Sequence, residues 1–281
     1  MLKQRIITAL VLLAILVPVI AHPDSRWFAA VSLVFIAAAC WEFARLNGLR
    51  PVAALLTGGV GMALGAILWV GGALQVPLGN VWLGASCFWV LFSAWLLYKG
   101  AASWLALPQA LRLVGGVVAL MVAWLAVSRA HAMGINYLFS VLFLVWAADV
   151  GAYFAGRTLG GRFIRRKLAP SVSPGKTWEG AIGGFLTVVL VASVWQWGEL
   201  QYGWGAAGLY TRLHAQGLLF YVVALLFLVT MSVVGDLVES LLKRSVGAKD
   251  SSQLLPGHGG VLDRVDALLP VLPMAMMLGT L

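Results

Sequence analysis

The chain has 281 residues, 62% of them hydrophobic and 10% charged, with a mean hydropathy of +0.95. A soluble domain averages about 45–50% apolar and about 25% charged residues, so a water-soluble core is excluded and an all-α, polytopic integral membrane protein is expected. The formal net charge of +9 is spread too thinly along apolar runs for a nucleic-acid groove; it fits loops facing anionic lipid, with phosphate-bearing substrates as a second reading.

In chain order, nine stretches approach the length of about 20 apolar residues that a bilayer crossing needs: 6–21, 27–46, 52–74, 78–98, 111–128, 135–156, 178–197, 217–240 and 261–281. The first follows Lys3 and Arg5, yet no small-x-small cleavage site precedes His22 and a second apolar run follows at once. It therefore reads as a span rather than a cleaved leader. Small residues three and four apart in "TGGVGMALGA" at 57–66 suit close helix packing. Trp27, Trp82, Trp178 and Trp204 fall near span ends, where interfacial anchoring is expected. Cys40 and Cys87 show no ligand spacing and read as small buried hydrophobes.

With the N-terminus placed in the cytoplasm and nine alternating spans, 16 of the 19 basic residues fall inside; only Arg26, Arg129 and Arg212 fall outside. That asymmetry satisfies the positive-inside rule and puts the two most polar inner segments, 157–177 and 241–260, in the cytosol. No fixed-period repeat or separable soluble domain is present. The expected organisation is one continuous membrane domain, with N-terminal helices over 1–134 (about five spans) and a motif-bearing region over 135–281.

Ten acidic residues are few enough to weigh singly. Asp24 and Glu199 read as solvated loop residues; Glu42 reads equally as a partner for Arg45 or Arg50 and as a functional acid. Asp149 lies well inside a span, where a carboxylate costs about 2.5–3.5 kcal/mol on insertion scales, so it must face a polar cavity or a buried partner. Asp236 and Glu239, three apart, end one span, and Asp263 and Asp266, also three apart, begin the next. The loop between them carries lysines, serines and glycines. Two readings stand: salt bridges between helix ends, or hard-metal binding with phosphate ligands, as Mg²⁺ prefers. "SPGKT" at 173–177 is no P-loop, because Pro170 stands where the motif needs glycine. His258 lacks a second histidine or cysteine nearby, which argues against zinc.

From Ser240 to Asp266 the sequence "SLLKRSVGAKDSSQLLPGHGGVLDRVD" resembles the signature of the phosphatidate cytidylyltransferases, the CDP-diacylglycerol synthases, at every fixed position. Asp149 with "GAYFAGRTLGGR", followed by "SPGKTWEG" at 173–180, is similar to a second stretch of that family. The resemblance implies transfer of cytidylate from CTP to phosphatidate, giving CDP-diacylglycerol and pyrophosphate for phospholipid synthesis. It implies Asp236 and Asp263 as holders of Mg²⁺, with a second cation such as K⁺. Lys243, Arg244, Lys249 and Arg264 would engage phosphates, with the His258–Gly259–Gly260 turn offering backbone N–H groups. Ser173, Lys176 and Thr177 would meet CTP or the lipid phosphate across the inner mouth, and Asp149, Asp250 and Asp266 would complete the substrate site. A homodimer in the bacterial inner membrane, with the active site facing the cytoplasm, is also implied. A cation-coupled transporter would be expected to show two related halves with broken helices, and none are evident. A catalytically dead scaffold would have little reason to keep every motif acid and base.

Overall fold

The computed structural model describes residues 2–281, and among these no extended strand occurs. The helices in chain order are α1 (Leu2–Ala21), α2 (Ser25–Leu46), α3 (Pro51–Val70), α4 (Gly79–Lys99), α5 (Ala101–Ala106), α6 (Gln109–Ala132), α7 (Ile135–Leu159), α8 (Trp178–Tyr202), α9 (Leu209–Ala215), α10 (Leu218–Ser245), α11 (Leu262–Val265) and α12 (Leu268–Gly279). Helices dominate because lipid cannot satisfy backbone N–H and C=O groups, so each crossing segment must bond internally. Eight helices among the described residues, α1–α4, α6–α8 and α10, are long and apolar enough to cross a membrane.

The expected ninth span is different. Residues 261–281 break into α11, of four residues, and α12, of twelve. At 1.5 Å per residue α12 reaches only about 18 Å, short of the roughly 30 Å hydrocarbon core. Its side chains are nearly all buried, with Val271 and Met274 at 0% exposure. The chain before α12 makes up the missing depth. A Cβ on Gly235 would lie 2.6 Å from the Asp266 carbonyl oxygen and 3.0 Å from the Ala267 Cα. Gly235 is ten residues from the end of α10, or about 15 Å up the helix. The polar segment before α12 therefore dips well below the helix ends, which irregular backbone can do only where protein or a water-filled cavity surrounds it.

Small residues set the closest helix contacts. In α3 a Cβ on Gly58 would meet the Ala37 carbonyl at 3.0 Å, and one on Gly61 would meet the Cys40 Sγ at 2.8 Å, as the 57–66 pattern predicts. Between α7 and α8, a Cβ on Gly184 would meet the Ala148 carbonyl at 2.7 Å and one on Gly151 the Thr187 Cβ at 2.6 Å. This contact holds the start of α8, and the Lys176 loop before it, beside Asp149. Two surface readings are corrected. Trp82 is a core residue at 3% exposure, whereas Trp27, Trp178 and Trp204 are exposed; and Cys87 is exposed on the bundle's apolar face, while Cys40 is buried.

The polar loops sort cleanly to two ends. At one end Gln109 Nε2 donates to the Asn47 carbonyl (2.8 Å), Arg5 Nε to the Gly257 carbonyl (3.0 Å) and Thr8 Oγ1 to the Pro256 carbonyl (2.9 Å). At the other, His131 Nε2 pairs with the Ile20 carbonyl (2.9 Å) and Asn136 Nδ2 donates to the Ala206 carbonyl (2.8 Å). Glu199 belongs to that second end. It is no free surface acid, for it accepts from Asn136 Nδ2, the Gly208 N–H and the Thr211 hydroxyl.

Candidate active site

Both motif loops lie at the first end and each is closed by a tight bridge, Ala169 to Ser173 and Leu255 to Gly259. The first loop is stapled by the Leu168 N–H to the Lys176 carbonyl (3.1 Å) and by the Lys176 N–H to the Ser173 carbonyl (3.1 Å). Thr177 then caps α8, its Oγ1 accepting from the Gly180 N–H (3.1 Å). Its buried hydroxyl thus serves as the helix cap. Lys176 Nζ sits 2.7 Å from Asp236 Oδ2 and donates to the Val233 carbonyl at 3.3 Å.

The second cluster forms where α10 meets the dipping segment. Lys243 Nζ lies 2.6 Å from Asp263 Oδ1 and also pairs with the buried Glu239. Asp263 accepts further bonds from the Ser251 N–H (2.9 Å), Ser251 Oγ (2.9 Å) and the Gly260 N–H (2.8 Å). Burial works to raise the Asp263 carboxyl. The neighbouring Glu239 carboxyl, the Lys243 ammonium and the Gly260 and Ser251 N–H groups outweigh it and hold Asp263 well below the usual carboxylate range. Asp149 and Asp266 share an electrostatic neighbourhood with Asp236, and Lys176 faces Asp149. Asp149 is exposed although it stands about 15 Å, ten residues, from the end of α7. Among the described residues it has no hydrogen-bonding or ionic partner within range. Its electrostatic neighbours are Asp236 and Lys176.

The glycine-rich turn is partly committed. Gly257 and Gly259 take positive φ (+77° and +83°), which only glycine adopts freely. The Gly260 N–H is given to Asp263, so this glycine positions the acid and is not free to contact a phosphate. Arg264 donates twice to the His258 carbonyl, through Nε (3.0 Å) and Nη2 (2.6 Å), and clasps the turn while staying exposed. Arg244 reaches only the Ala248 carbonyl (3.5 Å). Lys249 and Asp250 are exposed and, with Arg45 and Ser251, line a polar cavity of about 840 Å³ beside the cluster.

A further buried carboxylate organises the same segment. Glu42, near the end of α2, is 0% exposed and pairs with neither Arg45 nor Arg50. It accepts from Ser252 Oγ (2.5 Å), the Val261 N–H (3.0 Å), the Leu262 N–H (2.7 Å) and Ser251 Oγ (3.3 Å). Arg45 instead lies over the Trp41 ring at 5.0 Å. Glu179 does the same for the basic loop, accepting from the N–H groups of Gly161, Phe163 and Ile164 at 3.1, 3.1 and 2.8 Å.

Oxygen donors suit a hard cation, and both acids nominated for one already attract a positive charge, Asp236 that of Lys176 and Asp263 that of Lys243. No three His, Cys, Asp or Glu side chains converge as a metal-holding group among the described residues. An ion here would need phosphate or water to complete its shell, which is how Mg²⁺ is ordinarily bound.

The sequence model of the cytidylyltransferase family matches residues 3–281. The chain belongs to the cytidylyltransferase family. Similar relatives include a phosphatidate cytidylyltransferase of Pseudomonas aeruginosa, 37% identical over 97% of this chain and 95% of that one. One of Haemophilus influenzae is 33% identical over 97% and 96%. One of Bacillus subtilis is 41% identical over about half of each chain, 50% and 46%. As a cytidylyltransferase the chain is a nucleotidyltransferase.

The turn geometry makes one expectation sharp. A Cβ on Gly260 would fall 2.0 Å from Ser251 Oγ and 2.6 Å from Glu42 Oε1, both fixed by other bonds. Gly260→Ala is therefore expected to displace Asp263 and lower nucleotidyl transfer by about tenfold or more, from an overpacking cost of about 1–3 kcal/mol. Wild-type turnover in that variant would show that the turn tolerates the shift.

Proposed function

We propose that the chain transfers cytidylate from CTP to phosphatidate, releasing pyrophosphate, at the cytosolic face of a bacterial inner membrane. The observation that carries this reading is the meeting of two cation–carboxylate clusters, Lys176–Asp236 and Lys243–Asp263, at one end of an otherwise apolar bundle. In the reaction a phosphate oxygen of phosphatidate attacks the α-phosphorus of CTP. The bond to the β-phosphate oxygen breaks and its electron pair leaves with pyrophosphate. The attacking phosphate carries about −1.5 to −2 charge, so it needs no strong base; it needs relief from polyanion repulsion.

Lys249, exposed at the polar cavity, and Arg244, exposed on the last turn of α10, receive the triphosphate, together with the N–H groups of Gly257 and Gly259. Lys243, bound to Asp263 and Glu239, presents a fixed positive charge, and Lys176 a second one across the mouth. Arg264 and Gly260 hold the turn, and Asp149, Asp266 and Asp250 shape the walls. Mg²⁺ held by Asp236 and Asp263, with a second cation such as K⁺, would neutralise charge on the phosphates. Sixteen of 19 basic residues fall on the motif side under alternating spans, which supports the cytosolic placement, where CTP is found.

Purified protein given labelled CTP and phosphatidate is expected to move the label into lipid with one pyrophosphate released per transfer, and chelation of divalent ions should stop it. Absence of transfer across a range of Mg²⁺ and K⁺ concentrations would overturn the reading.

A further inference from the structure

Of the eight helices long enough to cross a membrane, α1 is the least buried, and Leu10, Leu13 and Val17 stand exposed along it. Lipid supplies no hydrophobic force between helices, so association in a bilayer relies on close packing and hydrogen bonds. Those of α1 gather at its two ends. At the far end the Ile20 carbonyl meets His131. At the near end Arg5 and Thr8, three apart and so on one helix face, reach the glycine-rich turn from 252 and 248 positions away. Thr8 Oγ1 donates to the Pro256 carbonyl at 2.9 Å, and Arg5 Nε to the Gly257 carbonyl at 3.0 Å. The two segments abut so closely that a Cβ on Gly257 would fall 2.8 Å from Arg5 Cγ and 3.3 Å from the Arg5 backbone nitrogen.

Every carbonyl from Leu255 to Gly259 is taken. The turn closes on itself through the His258 N–H to the Leu255 carbonyl (2.8 Å) and the Leu255 N–H to the Gly259 carbonyl (2.9 Å). Arg264 holds the His258 carbonyl, and α1 takes the remaining two. The N–H groups of Gly257 and Gly259, by contrast, carry no hydrogen bond among the described residues. In a trans peptide the N–H points opposite to the carbonyl of the residue before it, and no peptide here is cis. Thr8, by pinning the Pro256 carbonyl, therefore aims the Gly257 N–H, just as Arg264 aims that of Gly259. Arg5 pins the peptide on the other side of Gly257, whose φ of +77° and missing side chain would otherwise leave both peptides free to rotate. We infer that Thr8 and Arg5 are positioning residues of the active site, with α1 acting as a strap that holds the turn's unbonded N–H groups toward an anion. This rests on the reaction proposed above, in which those groups receive the triphosphate.

Substitutions of matched length separate the hydrogen bond from charge and bulk. Valine copies the shape of threonine without its hydroxyl. The amide nitrogen of glutamine stands as many bonds from the Cα as arginine Nε, so Arg5→Gln keeps the donor and drops the charge, while Arg5→Met drops both. With purified full-length protein, Thr8→Val and Arg5→Met are each expected to lower kcat/KM for CTP by about tenfold, mainly through KM, the scale of misaiming one hydrogen bond to a charged group. The KM for phosphatidate should stay within about twofold, and Thr8→Ser and Arg5→Gln should recover to within about threefold of wild type. Equilibrium dialysis of labelled CTP with Mg²⁺, without lipid, should rank the five proteins in the same order. A wild-type KM for CTP in either Thr8→Val or Arg5→Met, or losses confined to phosphatidate, would overturn the strap while leaving the reaction standing. So would Arg5→Gln as poor as Arg5→Met, since Arg5 would then act by its charge. Proteins that bind CTP in the expected order but transfer no label to lipid would instead overturn the reaction and leave the strap.

Discussion

Asp263→Asn is expected to reduce cytidylate transfer by at least about 10³-fold, the scale of losing a preorganised electrostatic group in a phosphoryl-transfer site. The reason lies in how the carboxylate is used. One oxygen answers Lys243 and the other answers Ser251 Oγ and the N–H groups of Ser251 and Gly260. Asparagine keeps one acceptor and turns the other oxygen into a donor, so whichever way it lies, an NH₂ faces either an ammonium or backbone N–H groups. The variant also removes a negative charge from Lys243, leaving Glu239 as that lysine's remaining counter-ion. The helices themselves do not depend on this bond, since α10 and α12 still touch through Gly235 and Pro270. Size-exclusion behaviour and tryptophan fluorescence should therefore match wild type while transfer of label to lipid disappears. Asp236→Asn should also be crippled. Its carboxylate is half-open and holds only Lys176 and Ser240 Oγ (3.2 Å), so the loss there should be eased by raising Mg²⁺ if the charge acts through the ion. Full activity in Asp263→Asn would remove that residue from the site.

Much of this arrangement was legible because the chemistry is local in sequence. Lys243, Asp263 and the glycine turn lie within one short segment, and the charge asymmetry of the loops put both motif segments at one end, as the Lys176–Asp236 pair bears out in relative terms. Burial was far less legible. In lipid the outward side chains are as apolar as the core, so the periodicity that separates inside from outside in a soluble helix fades. Trp82 and Cys87 were accordingly misplaced, both on α4. The last helix was misread for another reason. Counting apolar residues cannot show that a span's inner third is replaced by polar backbone buried among neighbours, and the Gly235–Asp266 contact is visible only in three dimensions. Proximity in sequence offers Glu42 only Arg45 and Arg50, but its partners stand 209 to 220 positions away.

Glu42→Ala is expected to be nearly as damaging as loss of Asp263, although Glu42 touches no substrate in the proposed reaction. The carboxylate is fully buried and accepts from two serine hydroxyls and the N–H groups of Val261 and Leu262. The hydroxyls can rotate to other acceptors; the two backbone donors cannot. Stranding a buried donor costs about 1–3 kcal/mol, so the segment from Ser251 to Leu262 should lose about 2–6 kcal/mol of local stability. Ser251 is shared between Glu42 and Asp263, so slackening at one carboxylate passes directly to the other. The expected result is a fall in kcat of about 10²-fold or more, with selective proteolysis within 246–261 and little change in cleavage of the loop around Glu199 at the opposite end. Glu42→Gln, which keeps one acceptor and places an NH₂ against donors, should fall between alanine and wild type on both readouts. Residue 42 acts by positioning, so proteolytic protection of 246–261 and kcat should decline together across the series. An alanine variant with an intact loop and wild-type kcat would mean that Asp263 and the glycine turn hold their geometry without α2.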